Sequence, residues 1–113
     1  MAKLIKERNV SIYRDANGVE PFSNWFESIK DSKTKRRILQ RIYRLQSGNY
    51  GDYKTLKDGV LEMRLHFGSG YRVYFAEINE EIVVLLLGGD KSSQKSDIGK
   101  AKNYWKDYTS NVI

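Results

Sequence analysis

The sequence predicts an α+β fold with a mostly antiparallel sheet, on three observations. Two amphipathic helical runs lie between Pro21 and Gly48, three strand-like runs follow between Leu61 and Leu87, and a further helical stretch spans Lys95 to Tyr108. In chain order this reads β-α-α-β-β-β with a C-terminal helix. At 113 residues the chain has room for one domain, 1–113, around one core.

The first strand is read within Lys3 to Tyr13, where Ile5, Val10 and Ile12 alternate loosely before the turn-forming cluster Arg14 to Gly18. From Pro21, a residue tolerated in a first helical turn, Phe22, Trp25, Phe26 and Ile29 fall at the spacing i, i+3, i+4, i+7 of one helical face. A second helix starts across Asp31 and Ser32, carries Ile38, Ile42 and Leu45 as its apolar stripe, and ends at Ser47 and Gly48, where glycine supplies a left-handed cap. So short a connection predicts an antiparallel helical hairpin. Gly48 to Asp52 then reads as a loop leading into the strands.

The register of the first two strands follows from their alternation. Leu61, Met63, Leu65 and Phe67 alternate with Glu62, Arg64 and His66, and Tyr71, Val73 and Phe75 alternate with Arg72, Tyr74 and Ala76. A slip of one residue would turn one apolar set into water, so the hairpin aligns both apolar sets through an odd-numbered loop around Gly68 to Gly70. Arg64, His66, Arg72 and Tyr74 are thereby expected on one shared face. The third strand, Ile82 to Leu87, is apolar throughout, as a strand covered on both sides should be, and delivers Gly88 to Lys91 to the sheet's end. In the tail, Ile98, Ala101 and Trp105 fall at helical spacing, with Trp105 and Tyr108 as packing anchors.

Twenty Lys and Arg against 14 Asp and Glu leave a net charge of +6, which favours a nucleic acid or another polyanion as partner. The absence of cysteine excludes disulfides, thiol nucleophiles and Cys-based zinc sites, and a single histidine cannot build a His-rich metal site, so neither metal nor cofactor is expected. The N-terminal MAKLIKERNV has no apolar stretch of signal-peptide length and Ile82 to Leu87 is too short to span a bilayer. The expectation is a soluble cytoplasmic protein without a membrane partner.

The second helix carries Lys33, Lys35, Arg36, Arg37, Arg41 and Arg44, with Asp31 as its one nearby acid. Such a face repels itself instead of gaining mixed-sign pairs, which suggests an external anion, although simple solubility explains it equally well. Lys35, Arg37, Arg41 and Arg44, with Lys54 and Lys57, form the expected nucleic-acid-docking surface, and Tyr74 is placed to stack on a base. For chemistry on a phosphodiester, Arg64 and Arg72 can clamp phosphate oxygens and stabilise developing charge, with Lys91 adding a point charge. Imidazole is the side chain that exchanges protons near neutrality, so His66 is the candidate acid or base. RNA supplies its own nucleophile in the 2′-hydroxyl, and DNA does not. Plainer readings stand beside these: His66 as a surface residue, Arg64 paired with Glu62, Lys91 as a turn lysine, and Asp90 and Asp97 as helix-capping groups.

Several blocks carry a family resemblance: Pro21-Phe22 followed by Trp25, Gly48 to Asp52, Gly59 to Leu65, Gly68 to Phe75 (GSGYRVYF) and Leu85 to Gln94 (LLLGGDKSSQ). Together they resemble the RelE/ParE superfamily of bacterial toxins, and most closely its HigB-like, phage-derived branch of addiction module killer proteins. The resemblance implies a RelE-like fold and the toxin of a type II toxin–antitoxin pair, neutralised by a helix-turn-helix, HigA-like antitoxin. RelE-type members are ribosome-dependent, metal-independent mRNA endoribonucleases that inhibit translation. The partners implied are therefore mRNA on the ribosome and ribosomal RNA. The functional residues implied map to Arg64, Arg72 and Lys91. Ser96, Asp97 and Ile98 stand where many RelE-like enzymes carry a tyrosine, so His66 rests on its own chemistry. Two rival readings stay open, a ParE-like inhibitor of DNA gyrase and a non-catalytic domain that binds nucleic acid or its partner.

Overall fold

The computed structural model describes residues 7–111. In chain order these form β1 (Asn9–Ile12), α1 (Pro21–Ser28), α2 (Ser32–Gln46), β2 (Tyr53–Thr55), a 3-10 turn (Lys57–Gly59), β3 (Leu61–Arg64), β4 (Arg72–Ile78), β5 (Ile82–Gly89), a second 3-10 turn (Lys91–Ser93) and α3 (Gln94–Asn111). The expected α+β class holds, with a five-stranded sheet in the order β1-β5-β4-β3-β2. All neighbours pair antiparallel except β1 and β5, which run parallel from Asn9 opposite Ile82 to Ile12 opposite Leu85. Of the first strand read in the sequence, Lys3 to Lys6 lie outside the described residues.

The hairpin takes the register that alternation predicts: Leu61 opposite Phe75, Met63 opposite Val73 and Arg64 opposite Arg72. Leu61, Met63, Leu65, Val73 and Phe75 consequently share one face, where α1 and α2 cover them with Phe22, Ile38, Ile42 and Leu45. The other face packs Tyr74, Ala76, Val84 and Leu86 against Ala101, Ile98 and Trp105 of α3. β5 serves both layers, and a bulge at Tyr74/Phe75 turns Leu86 and Leu87 together toward α3.

α2 begins as its sequence demands, with the Asp31 carboxylate accepting the Thr34 N–H at 3.3 Å. It ends before Gly48, whose φ of +86° is the left-handed cap. The Gly88-Gly89 doublet is the tail of β5, not the loop after it. A Cβ at Gly88 would collide with the Trp25 ring of α1, and one at Gly89 with the Asp97 carboxylate of α3, so the two glycines admit one helix on each face. Asp90 then caps the second 3-10 turn by accepting the Ser92 N–H at 2.9 Å, which bears out the capping reading of this aspartate.

β2 was not expected. Tyr53 to Thr55 are exposed and too few to show alternation, and they become a strand only by pairing with β3, Tyr53 opposite Met63 and Lys54 opposite Glu62. Among the described residues no helix is long and apolar enough to cross a membrane.

Candidate nucleic-acid interface

Like charges directly opposite each other on two strands repel, yet Arg64 and Arg72 are register partners. The carboxylate of Glu62, on the same face and with 0% exposure, resolves the conflict. It accepts a hydrogen bond from Arg64 Nε at 3.0 Å, lies 3.8 Å from Arg72 Nε, and accepts a further bond from the Gln94 amide at 2.9 Å. The sequence reading of an open cationic sheet face is therefore corrected. α3 covers that face, a buried acid sits within it, and the arginines reach solvent only at the sheet's end.

The two side chains differ in access. Arg64 is 37% exposed and Arg72 12%, the latter also donating from Nη1 to the Gly70 carbonyl at 2.7 Å. Gly70, at φ +77°, separates Arg72 from Lys91: a Cβ there would stand 3.4 Å from Arg72 Nη1 and 3.3 Å from Lys91 Cβ. Lys91 is exposed, and its N–H donates to the Ser69 carbonyl at 3.3 Å. Arg64, Arg72 and Lys91 thus gather at one end of the sheet.

Tyr74 shares the face but not the surface. It is fully buried opposite Glu62, and its hydroxyl has no hydrogen-bond partner. Burial, then the charges of Glu62 and Asp97, pushes its pKa up. A ring held under α3 cannot stack on a base, so that expectation fails. His66 lies past the end of β3 rather than on it. Exposed there, it pairs through Nε2 with the Asp52 carboxylate.

His66, Arg64, Arg72, Phe67 and Tyr71 line a cleft of about 360 Å³. His66 and Phe67 also border a second cleft, of about 260 Å³, formed with Arg37, Gln40, Arg41 and Arg44 of α2. The Arg37 guanidinium lies over the Phe67 ring, 3.9 Å from its centroid. The two clefts meet at His66 and Phe67, so the α2 arginines and the Arg64–Arg72 pair lie along one band, with Lys91 beyond Gly70 at its end.

Residues 24–106 of the chain match the family described as Phage derived protein Gp49-like. The chain belongs to this family. An uncharacterized protein of Haemophilus influenzae is 48% identical to it over 81 residues, 72% of this chain and 82% of the relative. The matched Gp49-like region contains every predicted site residue, from Lys35 to Lys91.

Not all those residues of the Gp49-like domain face one surface. Arg41 is half-buried and spends its guanidinium on the Arg64 carbonyl at 3.3 Å and the Tyr50 carbonyl at 3.2 Å. Burial, with the charge of Arg44 beside it, lowers its pKa. Lys35 turns away from the band, 3.4 Å from Glu27 and over the Phe26 ring of α1. Lys54, opposite Glu62, belongs to the α3 face, and Lys57 lies in the turn whose Gly59 abuts Trp105 of α3. α2 packs on the other face, so the expected union of its cations with Lys54 and Lys57 in one docking surface is not formed.

Asp52 and Gln94 join the site beyond the residues singled out in the sequence, and the plainer reading that paired Arg64 with Glu62 is borne out. Glu62 was visible there by its alternation with Arg64. Asp52 meets His66 only because of the β2–β3 pairing, which no local pattern announces.

Proposed function

We propose that this Gp49-like protein is the toxin of a two-gene toxin–antitoxin pair and acts as a metal-independent mRNA endoribonuclease on the ribosome. The observation that carries the reading is the pairing of Arg64 with Arg72 beside Lys91, with His66, held by Asp52, lining the cleft that the two arginines also line. In the reaction, the ribose 2′-oxygen attacks the adjacent phosphorus, the P–O5′ bond breaks, the leaving 5′-oxygen takes a proton from water, and a 2′,3′-cyclic phosphate forms. Asp52 fixes the imidazole through Nε2, leaving Nδ1 of His66 to take the 2′-hydroxyl proton. Arg64, Arg72 and Lys91 offset the charge that grows on the non-bridging oxygens. Arg37 and Arg44 hold the flanking RNA backbone, and a helix-turn-helix antitoxin silences the protein by covering the band.

The test is induction of the chain without its antitoxin, with mRNA ends mapped by primer extension. Arg72→Lys is the informative variant, because it keeps a cation beside buried Glu62 while removing the planar guanidinium that bonds the Gly70 carbonyl through Nη1 and presents Nη2 to the cleft. New mRNA ends and growth arrest with wild type, both lost in Arg72→Lys, are expected. Intact mRNA together with inhibition of purified gyrase would replace this reading with the ParE-like one.

A further inference from the structure

We infer that Glu62 is the positioning residue of the arginine pair, a single buried carboxylate that aims both guanidiniums into the cleft. For its catalytic consequence this rests on the function proposed above; its geometric content does not. A carboxylate with no exposure needs fixed partners, and Glu62 accepts two hydrogen bonds, from Arg64 Nε at 3.0 Å and the Gln94 amide at 2.9 Å, with Arg72 Nε beside it in a longer ion pair at 3.8 Å. Both arginines meet it through Nε. A guanidinium is a rigid planar fork, so a charge held at the Nε edge turns the Nη edge the other way. For Arg72 the Gly70 carbonyl takes Nη1 at 2.7 Å, which leaves Nη2 for a ligand. For Arg64 no described residue takes either Nη.

The same carboxylate offsets the repulsion between two cations that the strand register forces together. Two guanidiniums against one carboxylate leave excess positive charge facing the cleft. Through Gln94, the first residue of α3, Glu62 also anchors the segment that carries Lys91. The three phosphate-directed cations thus share one buried reference point. Sequence shows the acid between the strands' apolar positions, but only the pairing with β4 and the cover of α3 make it common to both arginines.

The experiment uses full-length protein labelled with 15N-arginine. Glu62→Gln keeps the side chain's volume and a hydrogen bond to Gln94, and removes the charge. The Nε–H resonances of Arg64 and Arg72 should both shift and exchange faster in the variant. Cleavage of ribosome-bound mRNA should lose about 10-fold or more in kcat, the size expected for losing a charge-assisted hydrogen bond. Binding of a 2′-deoxy RNA analogue that cannot be cut should hold or tighten, since a negative charge has gone. If Glu62→Gln does not fold, Gln94→Leu loosens the carboxylate from α3 and should move both resonances in the same direction by less. Unmoved Nε–H resonances in whichever variant folds, or analogue binding that falls in step with kcat, would overturn the inference. A wild-type protein that cuts no mRNA would sink the proposed function, while the resonances would still decide the role of Glu62.

Discussion

The two faces of the sheet are buried by different chemistry. Against α1 and α2 the fully buried residues are apolar, among them Ile38, Leu45, Met63, Val73 and Phe75. Against α3 the aliphatic and aromatic packing of Val60, Tyr74, Val84 and Leu86 is joined by two buried acids, Glu62 and Asp97. Both acids lie toward the end of the sheet where Arg64, Arg72 and Lys91 gather, and a buried acid is tolerated only where its partners are fixed. The contrast teaches that one face carries stability chiefly through apolar packing, while the other gives up some of that apolar character to hold a set of cations in place.

The largest effect should come from breaking the dry face. Met63→Ala removes a fully buried side chain and should cost about 2–5 kcal/mol, read as a lower urea midpoint with an unchanged slope. The same substitution should leave cleavage by the folded fraction untouched. If Met63→Ala instead lost activity while keeping its stability, the separation of the two faces would fail.

A smaller effect belongs to the cationic band. Arg44→Ala, at the exposed end of α2, should weaken RNA binding similarly for all sequences and lower the slope of log K against log salt by about 1. Lys54→Ala, on the α3 side of the sheet, should leave that slope unchanged in the same titration. Equal slopes for the two variants would mean that the band does not distinguish the faces.

The smallest concerns the entry to α3. The Ser92 hydroxyl, with the Ser92 and Ser93 N–H groups and Ser69, holds the Asp90 carboxyl below the usual carboxylate range. A carboxyl depressed on folding stabilises at neutral pH, and that stabilisation is lost as pH falls from its unfolded pKa through its folded one. Asp90→Ala should therefore lower stability by about 1 kcal/mol at pH 7. Melting curves of wild type and variant should converge toward acid.

Much of the fold was legible because local periodicity and tertiary burial agree. The stripe Ile38, Ile42, Leu45 and the alternation around Met63 and Val73 each announced the face they bury. β2 was hidden because three exposed residues carry no periodic signal. Its absence from the reading also hid the meeting of Asp52 with His66. In the site, register correctly brought Arg64 and Arg72 together. Alternation says which residues share a face but not what covers it, so Tyr74 read as accessible when α3 buries it. Lys54 and Lys57 were grouped with α2 by charge, although the sheet stands between them.

The most direct test of this account compares Arg72→Lys with Met63→Ala in one assay, cleavage of ribosome-bound mRNA by purified protein at equal folded concentration, with a melting curve for each. The predicted result is a rate about 10-fold or more below wild type with a near-native melting curve for Arg72→Lys, and a wild-type rate with a lowered melting temperature for Met63→Ala. Wild-type cleavage by Arg72→Lys would contradict the account at its centre.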